Sequence, residues 1–148
     1  MPFERNPEEI KERCEKLKKL FHSAPLKHTF NMTLHYDEKS QAVFDMPYDS
    51  RFTHALGDTH GGVIAILLDN AGWFTVAPQY PTWVATTDLT VKLLETAGRE
   101  DLVATGQILK CAKNLAMATM EVRAQYGRLI AIGQGTFAVT SHRYDEKI

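Results

Sequence analysis

The chain has 148 residues, of which 44% are apolar and 24% are charged, and its formal net charge is -1. These values are ordinary for one soluble globular domain, and a domain of this size can bury enough surface to fold without disulfides or structural metals. They favour neither a nucleic-acid partner nor a membrane partner, because the densest basic segment, KERCEKLKK, is interleaved with glutamates and reads as a solvated helix face.

Cysteine usage and apolar runs bear on the compartment. Cys14 and Cys111 lie far apart and in no metal-binding or redox motif, which favours a reduced compartment. The longest apolar run, Val63 to Leu68, is much shorter than the roughly 20 residues of a membrane helix. The N-terminus also lacks the apolar core of a signal peptide. We therefore expect a cytoplasmic protein.

The N-terminal part of the chain predicts a helix followed by a hairpin. Residues 7–22 carry one apolar stripe at three- and four-residue spacing, and Pro25 ends the helix. The segments HTFNMTLHY (28–36) and QAVFDMPY (41–48) then predict two strands that are joined by a turn at DEKS.

The most apolar segment, THGGVIAILLDNAGWF (59–74), predicts the central helix. Its apolar residues occupy nearly every side, so protein should surround the helix, and Pro78 and Pro81 end it. The rest of the chain alternates between polar and apolar residues and predicts four antiparallel strands, interrupted by AGRED, KN and YGR.

These elements predict a single α+β domain over residues 1–148, with an N-terminal helix at about 7–22 and a core at about 29–141. An antiparallel sheet that wraps one buried helix is the hotdog fold.

Two features of the central helix suggest chemistry. Gly61 and Gly62 would expose the backbone N–H groups at the helix start, where an anion or a developing oxyanion is favoured, although glycines there also permit tight packing. Asp69 would place a carboxylate on a buried helix, at a cost of several kcal/mol unless it is solvated or partnered. It is a candidate general base or nucleophile, or else an Asp that the hydroxyl of Thr86 or Thr87 satisfies.

The spacing of these two features predicts a dimer. Asp69 lies eight residues beyond Gly61, or roughly 12 Å along the same helix, so one chain cannot easily bring both to one carbonyl. Two antiparallel helices across a two-fold axis could do so.

The pattern HGGx(6)D from His60 to Asp69, with HALGDT before it and TTDLTVKLLETA and GQGTFAVT after it, resembles the hotdog-fold acyl-CoA thioesterases of the phenylacetate-pathway (PaaI-like) type. The resemblance covers about Phe30 to Thr140. It implies that the Gly61 N–H forms the oxyanion hole. It also implies that Asp69 of the partner subunit activates water or attacks the thioester, and that the Thr86 hydroxyl positions the water. His60 would lie beside the thioester or anchor the loop.

The resemblance also bears on substrate binding. Many relatives carry Asn seven residues before the first glycine, where this chain has His54, whose neutral imidazole can still donate one hydrogen bond. The nucleotide of CoA would need surface cations, and Lys110 and Lys113 are candidates, although solvated lysines are as plausible. Gly62, Asn70 and Trp73 are further candidate substrate-binding residues, and the aromatic residues that could shape an acyl pocket could also be core: Trp73, Phe74, Trp83 and Phe52.

The resulting hypothesis is a cytoplasmic acyl-CoA thioesterase that hydrolyses aryl or short- to medium-chain esters, needs no cofactor, acts as a homodimer and pairs further into a tetramer. The alternatives are a non-catalytic acyl-CoA-binding protein and a hotdog dehydratase, in which His54 or His60 would work with Asp69. A serine esterase is disfavoured because the chain lacks GxSxG. A metal site at His54, Asp58 and His60 lacks an obvious fourth ligand.

Overall fold

The computed structural model describes residues 5–144 and contains an antiparallel sheet that curls around one long helix. The helices are α1 (Pro7–Ser23), α2 (Pro25–Phe30) and α3 (Gly61–Val76). The strands are β1 (Thr33–Tyr36), β2 (Ala42–Met46), β3 (Val84–Leu93), β4 (Leu102–Cys111), β5 (Leu115–Arg123) and β6 (Leu129–Val139). Within the described residues the sheet has six strands in the order β1-β2-β4-β5-β6-β3. The predicted hotdog fold is therefore confirmed.

The α3 helix forms the centre of the core. Its buried side chains face the sheet on several sides, as its apolar sequence predicted: Ile64, Leu67, Leu68, Ala71, Trp73, Thr75 and Val76. After Val76 one 3₁₀ turn, Ala77–Gln79, continues the helix, and Pro78 lies within that turn. The whole helical stretch Gly61–Gln79 has the length and hydropathy of a membrane span, and most of it is buried inside the fold, as in the core helix of a soluble protein.

Glycines allow α3 to lie very close to the sheet. A Cβ at Gly106 of β4 would overlap the Ala71 carbonyl and the Thr75 hydroxyl, and a Cβ at Gly72 of α3 would lie 2.7 Å from the sulfur of Met120. The Thr75 hydroxyl also joins the helix to β2, because it accepts a hydrogen bond from the Ala42 N–H at 3.0 Å. The helix and the sheet are therefore in backbone-to-backbone contact at β4.

The α1 helix packs on the outside of this core, as its apolar stripe predicted. Leu17 and Phe21 are buried, and the Phe21 ring makes edge contacts with Phe44 and Phe74, with centroids 5.0 and 5.4 Å apart. The Arg13 guanidinium donates to the Pro78 carbonyl at 2.6 Å, which ties α1 to the end of α3.

One predicted strand boundary is wrong. Residues 28–30 were expected to begin a strand, but they belong to α2, and β1 starts at Thr33. Pro25 occupies the first turn of α2, where its fixed φ and missing N–H are favoured. Asn31 then ends α2 in the left-handed conformation with φ 52°, which Asn tolerates.

The β3 strand is an edge strand with a bulge. It pairs with β6 alone among the described strands, so its other edge is open. The register skips Thr87, because Thr86 lies opposite Phe137 and Asp88 lies opposite Thr136. Side chains alternate along a strand, so without the bulge Thr86 would share the outward face of Asp88. The bulge instead turns Thr86 towards α3.

The contact between α3 and β4 gives a test of the packing. Gly106→Ala should lower the free energy of unfolding by about 1–3 kcal/mol or more, because the added methyl group would overlap backbone atoms of α3 rather than a mobile side chain. Denaturant melts at one protein concentration measure the change. Thr105→Val, on the exposed face of the same strand, should stay within about 0.5 kcal/mol of wild type. Equal stabilities for the two variants would mean that α3 can move away from β4.

Candidate active site

Asp69 lies on the side of α3 that faces β3. Its side chain is half-buried, and its Oδ1 accepts a hydrogen bond of 2.8 Å from the Thr86 hydroxyl. Among residues 5–144, Thr86 is the hydrogen-bond partner of this carboxylate, and Thr87 donates elsewhere, to the Thr136 carbonyl. The predicted pairing of Asp69 with a strand hydroxyl is thus seen, and the bulge in β3 selects Thr86 for it.

The surroundings of Asp69 disfavour its charge. Burial raises the pKa of the Asp69 carboxyl above its ordinary value of 3.8, and the hydrogen bond from Thr86 opposes part of that rise. Within residues 5–144, no cation offsets the burial in the way that an ion pair would. A carboxylate with a raised pKa is a stronger base, which suits proton abstraction near neutral pH.

Three aromatic side chains line the cavity beside this carboxylate. This Asp69 cleft has a volume of about 270 Å³ and is lined by Asp69, Asn70, Trp73, Phe74, Trp83 and Thr86. The Trp73 indole N–H donates to the Val84 carbonyl at 2.7 Å, and the Trp73 ring lies 4.6 Å from that of Trp83. The cleft therefore combines polar side chains, Asp69 among them, with aromatic walls.

The start of α3 presents an N–H without an acceptor. His60 caps the helix, because its Nδ1 accepts from the Gly62 N–H at 2.9 Å and its carbonyl accepts from the N–H groups of Val63 and Ile64. The Gly61 N–H has no acceptor among residues 5–144. It is the available donor at the positive end of the helix dipole.

A second cavity opens at this end of α3. This Gly61 cleft has a volume of about 360 Å³, and its lining includes His54, Asp58, Thr59, Gly61, Ile64 and the segment 93–97. The Nδ1 atom of His54 accepts from the Leu56 N–H at 3.1 Å, so the neutral ring carries its proton on Nε2, which lies 3.8 Å from Asp58. His54 therefore lies in the cleft with one ring nitrogen already occupied.

Two parts of the Gly61 cleft were not predicted from the sequence. The Leu93 side chain covers Gly61, because a Cβ on that glycine would lie 2.6 Å from Leu93 Cδ1. The loop after Leu93 forms a wall of the cleft, and Arg128 holds this loop through ion pairs with Glu95, at 2.7 Å, and with Glu100. No local sequence signal marked either feature, since AGRED reads only as a turn.

The predicted site residues do not all come together in one chain. They form two groups along α3. The start of the helix has Gly61, Gly62, His54 and His60, whereas Asn70, Trp73 and Thr86 surround Asp69.

Other predicted residues lie outside both clefts. Lys110 and Lys113 are exposed at the end of β4 and in the following turn, and they line neither cleft. Phe52 stacks on Phe30, with centroids 4.5 Å apart, rather than lining the Asp69 cleft. No group of three potential metal ligands occurs within residues 5–144.

The raised pKa predicts how Asp69 affects stability. A buried carboxyl with a raised pKa stabilises the fold most when it is protonated, below the unfolded value of 3.8, and this contribution is lost as the pH rises through the folded pKa. Asp69→Asn should therefore be more stable than wild type at pH 8, and the difference should shrink towards pH 4.

Thermal melts across this pH range at one protein concentration measure the difference. Asp58→Asn, at an acidic position outside the Asp69 cleft, is the matched control. A variant at position 69 that is less stable than wild type at pH 8 would contradict the assignment of burial as the dominant effect.

Comparison with known proteins places this geometry in a family. The family model of the Thioesterase superfamily matches residues 56–131, about half of the chain. This range includes Gly61 and Asp69, the residues after which the two clefts are named. A protein of Halobacterium salinarum whose name proposes an esterase is 32% identical over 107 residues, which cover 64% of this chain and 70% of that protein. Human acyl-coenzyme A thioesterase 13 is 28% identical over 99 residues, 65% of this chain and 71% of that protein.

Solved structures confirm the fold. The E. coli PaaI protein from the phenylacetic acid degradation operon superimposes with a TM-score of 0.81 at 17% identity and covers 92% of this chain and 96% of its own. A Bacillus halodurans protein solved with CoA has a TM-score of 0.76 at 23% identity and covers 92% of this chain and 91% of its own. With the family match, these findings show that the chain belongs to the thioesterase superfamily and has the hotdog fold.

Proposed function

We propose that this protein is an acyl-CoA thioesterase that hydrolyses aryl or short- to medium-chain acyl-CoA esters at a site shared by two subunits. The observation that carries the proposal is a partly buried carboxylate, Asp69, held by Thr86 at the mouth of an aromatic cleft. Binding alone would not need a carboxylate whose charge is disfavoured by burial. The names of the human and archaeal relatives and the CoA in the Bacillus structure support the substrate class.

The geometry of β3 supports the shared site. Gly61 packs against Leu93 at one end of β3, and Asp69 bonds Thr86 near the other end. If two β3 edges pair in antiparallel fashion about their centres, Leu93 of one chain comes to lie near Thr86 of the other. The Gly61 N–H of one subunit would then lie beside Asp69 of its partner.

The surface of β3 also suits such pairing. A strand of ten residues with an open edge presents unpaired backbone groups that another strand can satisfy. Its two ends carry large exposed apolar side chains, Leu93 at 54% and the adjacent Trp83 at 40% exposure. Further pairing of dimers into a tetramer stays a prediction.

In the proposed reaction, the thioester carbonyl lies between the two subunits. Its oxygen accepts from the Gly61 N–H, which stabilises the oxyanion as the carbonyl carbon becomes tetrahedral. Asp69 of the partner either takes a proton from the attacking water or attacks the carbon itself, and the Thr86 hydroxyl orients the carboxylate or the water. The carbon–sulfur bond then breaks, and CoA leaves as a thiolate that takes up a proton. In the base route Asp69 returns the proton that it took from water. In the nucleophile route the acyl group remains on Asp69 as a mixed anhydride, and water then hydrolyses the anhydride to the free acid and restores the Asp69 carboxyl group. His54 in the Gly61 cleft can donate its Nε2 proton to the same oxygen.

The dehydratase alternative receives no support from a single chain. It needs a histidine near the carboxylate, and no histidine lines the Asp69 cleft. Product analysis separates the two reactions, because hydrolysis releases a free thiol whereas dehydration leaves the thioester intact and forms a double bond.

The first test is thiol release from phenylacetyl-, benzoyl- and straight-chain acyl-CoAs. Asp69→Asn should lower turnover by about 10²-fold or more, the scale of losing a positioned base. Lys39→Ala, at an exposed turn residue outside both clefts, should keep wild-type turnover. If wild type binds the same esters but releases no thiol, the protein is a binding module and the proposal is wrong.

The second test separates the two halves of the site. Gly61→Pro removes the N–H, and Pro suits this first helical position because His60 is extended, with φ −62° and ψ 137°. Gly61→Ala adds a side chain but keeps the N–H. Loss of the oxyanion donor should lower turnover by about 10²- to 10³-fold in the Pro variant and much less in the Ala variant.

Co-expression of Gly61→Pro with Asp69→Asn then tests the shared site. Random pairing makes half of the dimers mixed, and each mixed dimer holds one intact site of two, so activity should return to about one quarter of wild type. A site within one chain would leave every site defective. Absence of recovery in purified mixed dimers would therefore contradict the intersubunit arrangement.

A further inference from the structure

A third cavity lies next to the Asp69 cleft, between the end of α1 and the C-terminal segment of the described chain. This α1 cavity has a volume of about 400 Å³, and its lining includes Leu20, Ala24, Trp83, His142 and Tyr144. Trp83 lines both the α1 cavity and the Asp69 cleft. Its indole is thus the side chain that the two cavities have in common.

The backbone of Trp83 is fixed while its indole is partly free. The Trp83 N–H donates to the His142 carbonyl at 2.6 Å, and the Trp83 carbonyl accepts from both the N–H and the hydroxyl of Thr140, at 2.9 and 2.7 Å. The indole itself packs on Trp73 at an interplanar angle of 54° and is 40% exposed. Its position therefore depends on side-chain packing rather than on the course of the chain.

The α1 cavity suits a hydrocarbon chain better than a polar group. Leu20, Ala24 and the Trp83 ring supply apolar walls, and most of the lining surface is apolar although His142 and Arg143 also contribute to it. The neighbouring hydroxyls are already bonded within the protein, since Ser23 donates to the Leu20 carbonyl at 2.9 Å and Tyr144 donates to the Tyr80 carbonyl at 2.8 Å. An apolar cavity of this size beside a reactive carboxylate is a typical place for the remote part of a substrate.

The proposed arrangement of the two subunits determines which cleft the acyl group of the substrate enters. In the proposed dimer the thioester lies between Asp69 and the partner's Gly61 cleft. That cleft carries the ionisable side chains of His54, Asp58 and Glu95, whereas the Asp69 cleft has three aromatic walls, so the acyl group enters the Asp69 cleft. From there the path of the acyl chain away from the carbonyl leads towards Trp83.

We propose that Trp83 is a specificity-determining residue that ends the acyl site, and that the α1 cavity is the space a longer chain would occupy once the indole is removed. This inference rests on the proposed thioesterase activity. It adds a physical reason why the enzyme would accept acyl chains only up to a certain length. It also gives α1 a role, because the end of this helix forms a wall of the α1 cavity.

The test is the dependence of kcat/KM on acyl length, from acetyl- to palmitoyl-CoA, for wild type and Trp83→Ala. Wild type should prefer aryl and short- to medium-chain esters. The Ala variant should gain at least tenfold on the long chains, since each methylene that enters an apolar cavity is worth about fourfold. Trp83→Phe, which keeps a ring against Trp73, should retain the wild-type profile, with thermal melts confirming that each variant is folded.

A second substitution locates the gain in the α1 cavity. Ala24→Phe should fill this cavity, so it should leave the wild-type profile unchanged but abolish the long-chain gain of Trp83→Ala in the double variant. A length profile that Trp83→Ala leaves unchanged would overturn the proposal. So would a wild type that already prefers long chains.

The same assays separate a different role for Trp83. If the indole stacked on the nucleotide of CoA, Trp83→Ala would raise KM equally for every acyl length, and the effect would vanish with acyl-pantetheine esters, which lack the nucleotide. That result would also overturn the proposal. Absence of thiol release from any ester by wild type would instead refute the thioesterase activity on which the inference rests.

Discussion

The burial of α3 within the sheet is the constraint on which the rest of the structure depends. Because strands surround the helix on several sides, its sequence must be apolar almost throughout, and glycines at positions 72 and 106 are needed where helix and sheet meet most closely. The one side where the side chains are only partly covered faces β3, the open edge of the sheet. Asp69 lies on that side, which is why the fold can hold a carboxylate in its central helix at all.

The carboxylate nevertheless remains costly for the folded state. Burial raises the pKa of the Asp69 carboxyl, which means that its charged form is disfavoured in the fold, and a single hydroxyl, that of Thr86, compensates in part. A residue that weakens the fold but has a chemical role is typical of catalytic sites. Stability and activity should therefore change in opposite directions when Asp69 is neutralised.

The β3 strand connects assembly to chemistry. It contacts the Gly61 end of α3 through Leu93 and the Asp69 side chain through Thr86, and its free edge is the part of the sheet that a second subunit could pair with. In the proposed dimer one strand therefore aligns both halves of each site. Trp83, directly before β3, then lies at the far end of the acyl cleft, so that the same region of the chain would also limit the substrate.

The sequence by itself determined the elements whose signals are local. The positions of α1, α3 and β2 to β6 followed from periodicity and prolines, and Asp69 stood out because a charge in an apolar helix is rare. Only the tertiary structure decided that β3 lies at the sheet edge, that a bulge turns Thr86 towards Asp69, that Leu93 covers Gly61 and that Trp83 lines two cavities. The physical reason is that each of these depends on contacts between residues far apart in the chain. The helical start of residues 25–30 was missed for a related reason: the apolar residues there fit a strand as well as a short helix, and the caps at Pro25 and Asn31 decided between them.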